Sequence, residues 1–322
     1  MVKLSVLDLA PIFGEIDAHY ALQQALLLAR TAEKLGYHRY WVAEHHDMKG
    51  LACTSPEVLL SHIGALTTRI RLGSGALLLP HYKPLKVAES FHLLASLYPG
   101  RIDLGIGRAP SGSAHATIAL SGNFLESLRH MPDSLRALME LLGGIYQQDG
   151  ELVIARPVPP QPPEVWMLGT NQKSAAYAAE HGTGYVFGQF MSENDGAEVL
   201  GTYRQQFHPS RLLSKPRAIV AVGMVCAESE AEAKQLASQT AAWFQPEQGK
   251  EGDADSKGGA GRDQSDRPIN RRMLVGTPKQ ISTKLGQLQD LYRVDEFLLV
   301  STVPDYEKRL RGYELLAEAI KD

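Results

Sequence analysis

What most constrains the fold of this 322-residue chain is an alternation of short apolar runs and stretches with helical spacing, repeated eight times. The runs are residues 3–9, 40–42, 70–72, 102–106, 165–168, 185–187, 218–225 and 296–300. Helical spacing follows in 21–35, where Leu22, Ala25, Leu26, Ala29 and Ala32 recur every three to four positions up to a closing Gly36. Ser55-Pro56 opens the next helix as cap and first residue. Further helices are expected at 84–98, at 174–181, at 230–244, at 278–291, at 305–319 and around Leu135, Leu138 and Leu141. Strands joined by helical crossovers run parallel, because each crossover returns the chain to the same edge. Eight such units predict a (β/α)₈ TIM barrel over 1–322 as a single domain. A doubly wound sheet is the alternative, since repetition does not itself close a ring.

In either fold the C-terminal strand ends share one face, and the unusual residues of this chain lie there. Residues 39–43 run into Glu44-His45-His46, 71–72 into Gly73-Ser74-Gly75-Ala76, 101–107 into Arg108, and 165–168 into Gly169-Thr170-Asn171. Adjacent histidines on an extended chain point to opposite sides, so one is read as catalytic and the other as a loop support. No H-E-x-x-H or Cys/His set accompanies them, which argues against a metal centre. The Gly73–Ala76 backbone is open to a flat aromatic ligand, or else relieves a crowded barrel interior. Arg108 either clamps an anion or closes the rim in a salt bridge. Gly169 through Ser174 is a glycine turn opening a helix, suited to phosphate but also readable as an ordinary cap. Taken together, Arg108 and this turn suit one terminal phosphate, and a phosphorylated aromatic cofactor such as FMN fits better than ATP or NAD.

Composition sets the bounds of function. A net charge of -3 gives no reason to expect nucleic acid or an anionic membrane as partner. Two cysteines outside any ligand spacing, and no long apolar run, suggest a reduced cytoplasmic protein. Proline-rich 156–163 reads as an extended loop inside one domain. Residues 245–268, rich in Gly, Asp, Lys, Gln and Ser, read as a disordered insertion or a lid near the barrel mouth.

These segments, taken together, resemble the bacterial luciferase-like flavin monooxygenases. The resemblance rests on Trp41-Val42-Ala43-Glu44-His45-His46, on residues 72–80 around Gly73-Ser74-Gly75-Ala76, on 99–110 through Gly107-Arg108-Ala109-Pro110, and on Trp166-Met167-Leu168-Gly169-Thr170. It is dense over the first half, extends thinly to Val275-Gly276-Thr277-Pro278, and at 7–11 and 107–110 looks like the non-luminescent branch. It implies a dimeric TIM barrel that takes reduced FMN from a separate reductase. His45 would then be the catalytic histidine assisting a flavin C4a-peroxide. Gly75-Ala76 would lie under the isoalloxazine, often across a cis bond. Arg108, Gly169, Thr170, Asn171 and Ser174 would hold the phosphate, and Ala10 would lie near the ring. Two departures stand out. Gly107 replaces a cysteine found in luciferase, and residues 109–115 lack the acidic residue common among close relatives, although His115 stands there. The implied function is a two-component FMN monooxygenase acting on a small organic substrate. The alternatives are a deazaflavin-dependent hydride-transfer enzyme of the same fold, a flavin-binding protein without turnover, and a metal-dependent hydrolase built on His45 and His46.

Overall fold

The computed structural model describes residues 2–110, 112–243 and 273–321; the expected lid at 245–268 lies outside them. In chain order the elements are β1 (Lys3–Asp8), α1 (Ala18–Leu35), β2 (Arg39–Val42), α2 (Pro56–Ala65), β3 (Arg71–Ser74), β4 (Leu77–Leu78), α3 (Pro84–Leu97) and β5 (Ile102–Gly107). Next come α4 (Ala114–Ser121), α5 (Phe124–Arg129), α6 (Met131–Leu142), β6 (Gln147–Gln148), β7 (Glu151–Leu152), β8 (Glu164–Gly169) and α7 (Gln172–Glu180). The remainder are β9 (Gly184–Gly188), α8 (Gly196–Gln205), β10 (Ala218–Cys226), α9 (Glu230–Trp243), β11 (Met273–Gly276), α10 (Pro278–Tyr292), β12 (Glu296–Val300) and α11 (Tyr306–Lys321).

The strands pair in the order β1, β2, β3, β5, β8, β9, β10, β12 and back to β1, every pair parallel. The β9–β10 pairing, with Ala218 opposite Tyr185 and Ala221 opposite Gly188, closes the ring that a doubly wound sheet would leave open. The fold is therefore a TIM barrel. β4 pairs with the last residues of β5, and β11 pairs with the last residues of β10 at the mouth.

Period-2 alternation divides the core into two shells. Leu7, Trp41, Trp166, Ile219, Leu298 and Val300 fill the barrel. Their chain neighbours Val6, Tyr40, Val220, Phe297 and Leu299 face outward into the larger cluster under the helices. The strands' N-terminal ends are plugged by charge. Fully buried Arg39 places Nη1 2.8 Å from Asp103 and Nε 2.8 Å from Glu296. Arg71 also pairs with Asp103, Arg217 reaches Glu164 at 3.1 Å, and the guanidiniums of Arg39 and Arg217 lie against the Trp166 ring.

Local signals held where burial supported them. Gly36 caps α1 at φ 88°, its N–H bonded to the Ala32 and Glu33 carbonyls. Ser55 does precede α2, yet its side chain makes no cap bond; Pro56 at the first position sets the start instead. The polar stretch after Arg108 contains α4, capped by Ser113. Its periodicity was illegible because Thr117 is its one buried residue. The β6–β7 hairpin, β11 and α8 were likewise missed; both strands of the hairpin are fully exposed and carry no apolar signature. Among the described residues no helix is long and apolar enough to cross a membrane.

Candidate active site

The strand ends open into a cavity of ≈ 960 Å³. That lies near the upper end of the roughly 300–1,000 Å³ usual for ligand clefts, enough for a cofactor and a second small molecule. His45, Gly75, Ala76, Arg108, Gly169, Thr170, Asn171 and Ser174 all line it. Ala10 does not. It is buried at φ 46°, with its N–H on Asp8 Oδ1 at 2.8 Å, and Leu7 and Leu9 present β1 to the cavity instead. With Leu7 and Leu9 facing the cavity, alternation along the extended chain turns Ala10 away from it.

The histidine pair divides as the extended chain requires. His45 lines the cavity, and its Nδ1 is buried without a hydrogen-bond partner among the described residues. Burial, with the neighbouring His46 adding to it, pushes its pKa down to about 4, so the imidazole is neutral at pH 7. His46 turns to Glu44, Nε2 to Oε1 2.8 Å. Glu44 is buried and fully engaged: Oε1 also accepts from Tyr82 Oη at 2.8 Å, and Oε2 accepts from the Leu78 N–H at 3.0 Å. Burial raises its pKa, against the pull of these donors. Glu44 therefore ties the end of β2 to the segment just past Gly75-Ala76. Sequence reading passed over this role, although a carboxylate ending an apolar strand was the available signal.

That segment forms a ledge. The Gly75–Ala76 peptide bond is cis. A Cβ on Gly75 would lie 2.5 Å from Leu7 Cδ1, and one on Gly107 2.9 Å from the Ala76 Cβ, so neither position accepts a side chain without displacing the wall. Gly73 answers to the other reading: its missing side chain makes room for Trp41, whose Nε1 donates to Asp103 at 2.8 Å.

At the β5 and β8 ends the cavity turns cationic. Arg108 makes no ion pair among the described residues; its guanidinium lies 5.9 Å from the Tyr177 ring centroid. Asn171 caps α7 in a reciprocal box: its Oδ1 accepts from the Ser174 N–H at 3.1 Å, and Ser174 Oγ accepts from the Asn171 N–H at 3.3 Å. Asn171 Oδ1 and Ser174 Oγ are thus committed to the cap, and the Asn171 amide and the helix's own free end remain for a ligand. The N–H groups of Gln172 and Lys173 have no partner within the helix and favour an anion. Gly169 is required here, since a Cβ would sit 2.0 Å from Ser174 Oγ. An open ledge, an unpaired guanidinium and free helix N–H groups are a donor set that fits a flat ring carrying a phosphate.

Residues 2–294 match the model of the luciferase-like monooxygenases. This chain belongs to that family. It is 40% identical to the Bacillus subtilis (strain 168) protein YwcH over 100% of both chains. It is 32% identical to the N-acetyl-S-alkylcysteine monooxygenase of the same organism, covering 99% of this chain and 98% of that one. The crystal structure of apo-MsnO8 superposes with a TM-score of 0.86 at 34% identity, covering 100% of this chain and 99% of that one. The family assignment makes the protein an enzyme of the monooxygenase class and agrees with the closed barrel described above.

Proposed function

We propose that this luciferase-like monooxygenase binds reduced FMN, takes it from a separate flavin reductase, and uses it with O₂ on a small organic substrate. The observation that carries the reading is one cavity wall combining the Gly75–Ala76 ledge, Arg108 beside the free end of α7 with no ion pair among the described residues, and a neutral His45. When bound, reduced FMN supplies the electrons that activate oxygen. Arg108 and the first N–H groups of α7 hold the phosphate, with Thr170 beside them, while Asn171 and Ser174 act by keeping that helix end in place. The backbone of Gly75-Ala76 faces the ring. Leu7, Leu168 and Val186 exclude water, which protects a reactive site from side reactions. His45 lines the cavity with a neutral imidazole, placed there to accept a proton rather than to donate one, and its low pKa makes it a weak base. The separate reductase and a homodimeric state follow from the motif resemblance, and a cytoplasmic setting from two free, buried cysteines and the composition.

The test is anaerobic titration with photoreduced FMN, then with reduced deazaflavin, each followed by admission of oxygen. Tight binding of reduced FMN with reoxidation kinetics unlike those of free flavin is the expected result. Binding of oxidised FMN alone, with no change in reoxidation, would make the protein a flavin carrier. Preference for the deazaflavin without oxygen uptake would make it a hydride-transfer enzyme.

A further inference from the structure

Around the ring, the cavity wall changes character between neighbouring strands. Its charged side chains, Glu44, Lys49 and Arg108, all come from the loops after β2 and β5. The adjoining arc built by β9, β10, β11, β12 and β1 presents Leu7, Val186, Phe190, Ala221, Met273 and Val300 and carries no charge among the described residues. One hydroxyl interrupts it. Thr302, just past β12, is 2% exposed, lines the cavity, and has no side-chain hydrogen bond among the described residues. A hydroxyl at a cavity wall bonds whatever fills the cavity, water in the empty site and a ligand group when one is bound. We infer that this arc is the substrate subsite, and that Thr302 orients an uncharged, largely apolar substrate through a single carbonyl or hydroxyl group. The inference rests on the reading that the Arg108 side of the same cavity holds the flavin.

The chemistry sets the selection. A carboxylate or ammonium against Leu, Val, Phe and Met side chains would lose its hydration with nothing to replace it. A carbonyl would exchange water for the Thr302 O–H, and its alkyl portion would gain from burial. Thr302 thereby becomes the residue that fixes which carbon of the substrate lies over the flavin.

Calorimetry with 2-heptanone, heptanoate and heptylammonium, on FMN-free and FMN-loaded protein, tests this. The ketone is expected to bind about 10-fold or more tightly than either ion, since charge burial costs more than a hydrogen bond returns. Thr302→Val, which keeps the shape and removes the hydroxyl, is expected to weaken the ketone by about 3- to 10-fold, with Thr302→Ser restoring it and FMN affinity unchanged. Equal binding of the ions, or unchanged ketone affinity in Thr302→Val, overturns the inference. So does a loss of FMN affinity in place of ketone affinity, which would put Thr302 in the flavin site. Failure of the flavin reading looks different: FMN does not bind, while ketone preference and its loss in Thr302→Val persist in FMN-free protein.

Discussion

The two ends of the barrel are built from the same strands and hold opposite kinds of polar group. At the N-terminal end each buried charge has its counterpart: Arg39 with Asp103 and Glu296, Arg71 with Asp103, and Arg217 with Glu164. At the C-terminal end, among the described residues, Arg108 has no carboxylate partner, His45 Nδ1 has no hydrogen-bond partner, and the Thr302 hydroxyl is the polar group of an apolar arc. Ion pairing holds the closed end, although Arg39 Nη2 finds no hydrogen-bond partner there among the described residues, whereas the polar groups around the open cavity are placed to meet a ligand. A barrel rich in charge is thus uninformative about function until one asks which end the charge is on.

The largest effect expected from disturbing this contrast is at the closed end. Arg39→Met leaves Glu296 buried without its cation and Asp103 with Arg71 alone, and is expected to cost about 3–5 kcal/mol, measured by denaturant unfolding. At the open end, His45→Ala is expected to leave the fold and flavin binding intact while lowering coupled product formation on the order of 100-fold, as for loss of a general acid–base group. Parallel loss of flavin affinity would instead make His45 a binding residue. Arg108→Ala is expected to weaken FMN by about 10-fold, the size of one charge-assisted hydrogen bond, with little change in unfolding free energy. A large loss of stability there would erase the distinction between the ends.

The smallest effect concerns protons. His45 titrates near 4 in the folded chain against 6.5 for an ordinary histidine. Between those values the unfolded chain binds a proton that the native one does not. Stability is therefore full above about pH 6.5, declines as the pH falls towards about 4, and loses nothing further to this group below that. An NMR titration of the His45 ring that still reads neutral at pH 5 bears this out, whereas a midpoint near 6.5 means the side chain is hydrated rather than buried.

Much of the barrel was legible because period-2 apolar runs have few other uses. The runs at 40–42, 102–106, 165–168 and 296–300 fall within β2, β5, β8 and β12. The short exposed β6–β7 pair and the barely buried α4 were not, since an element that buries little imposes no pattern on its sequence. At the site, glycines and charges at strand ends pointed to the right loops. Ala10 lies next to the lining Leu9 but does not itself line the cavity, and Thr302 was overlooked because a hydroxyl after an apolar strand is commonplace.

By itself, then, the sequence determined the repeating unit, the face on which chemistry gathers, and the family. Hydrophobic period and strand-end residues are local properties, readable one segment at a time. Ring closure through β9 and β10, the commitment of Asn171 and Ser174 to a helix cap, and the isolation of His45 Nδ1 were decided only in three dimensions. Each depends on which distant groups arrive as neighbours, and a polar atom is satisfied or left wanting only after the whole chain has packed around it.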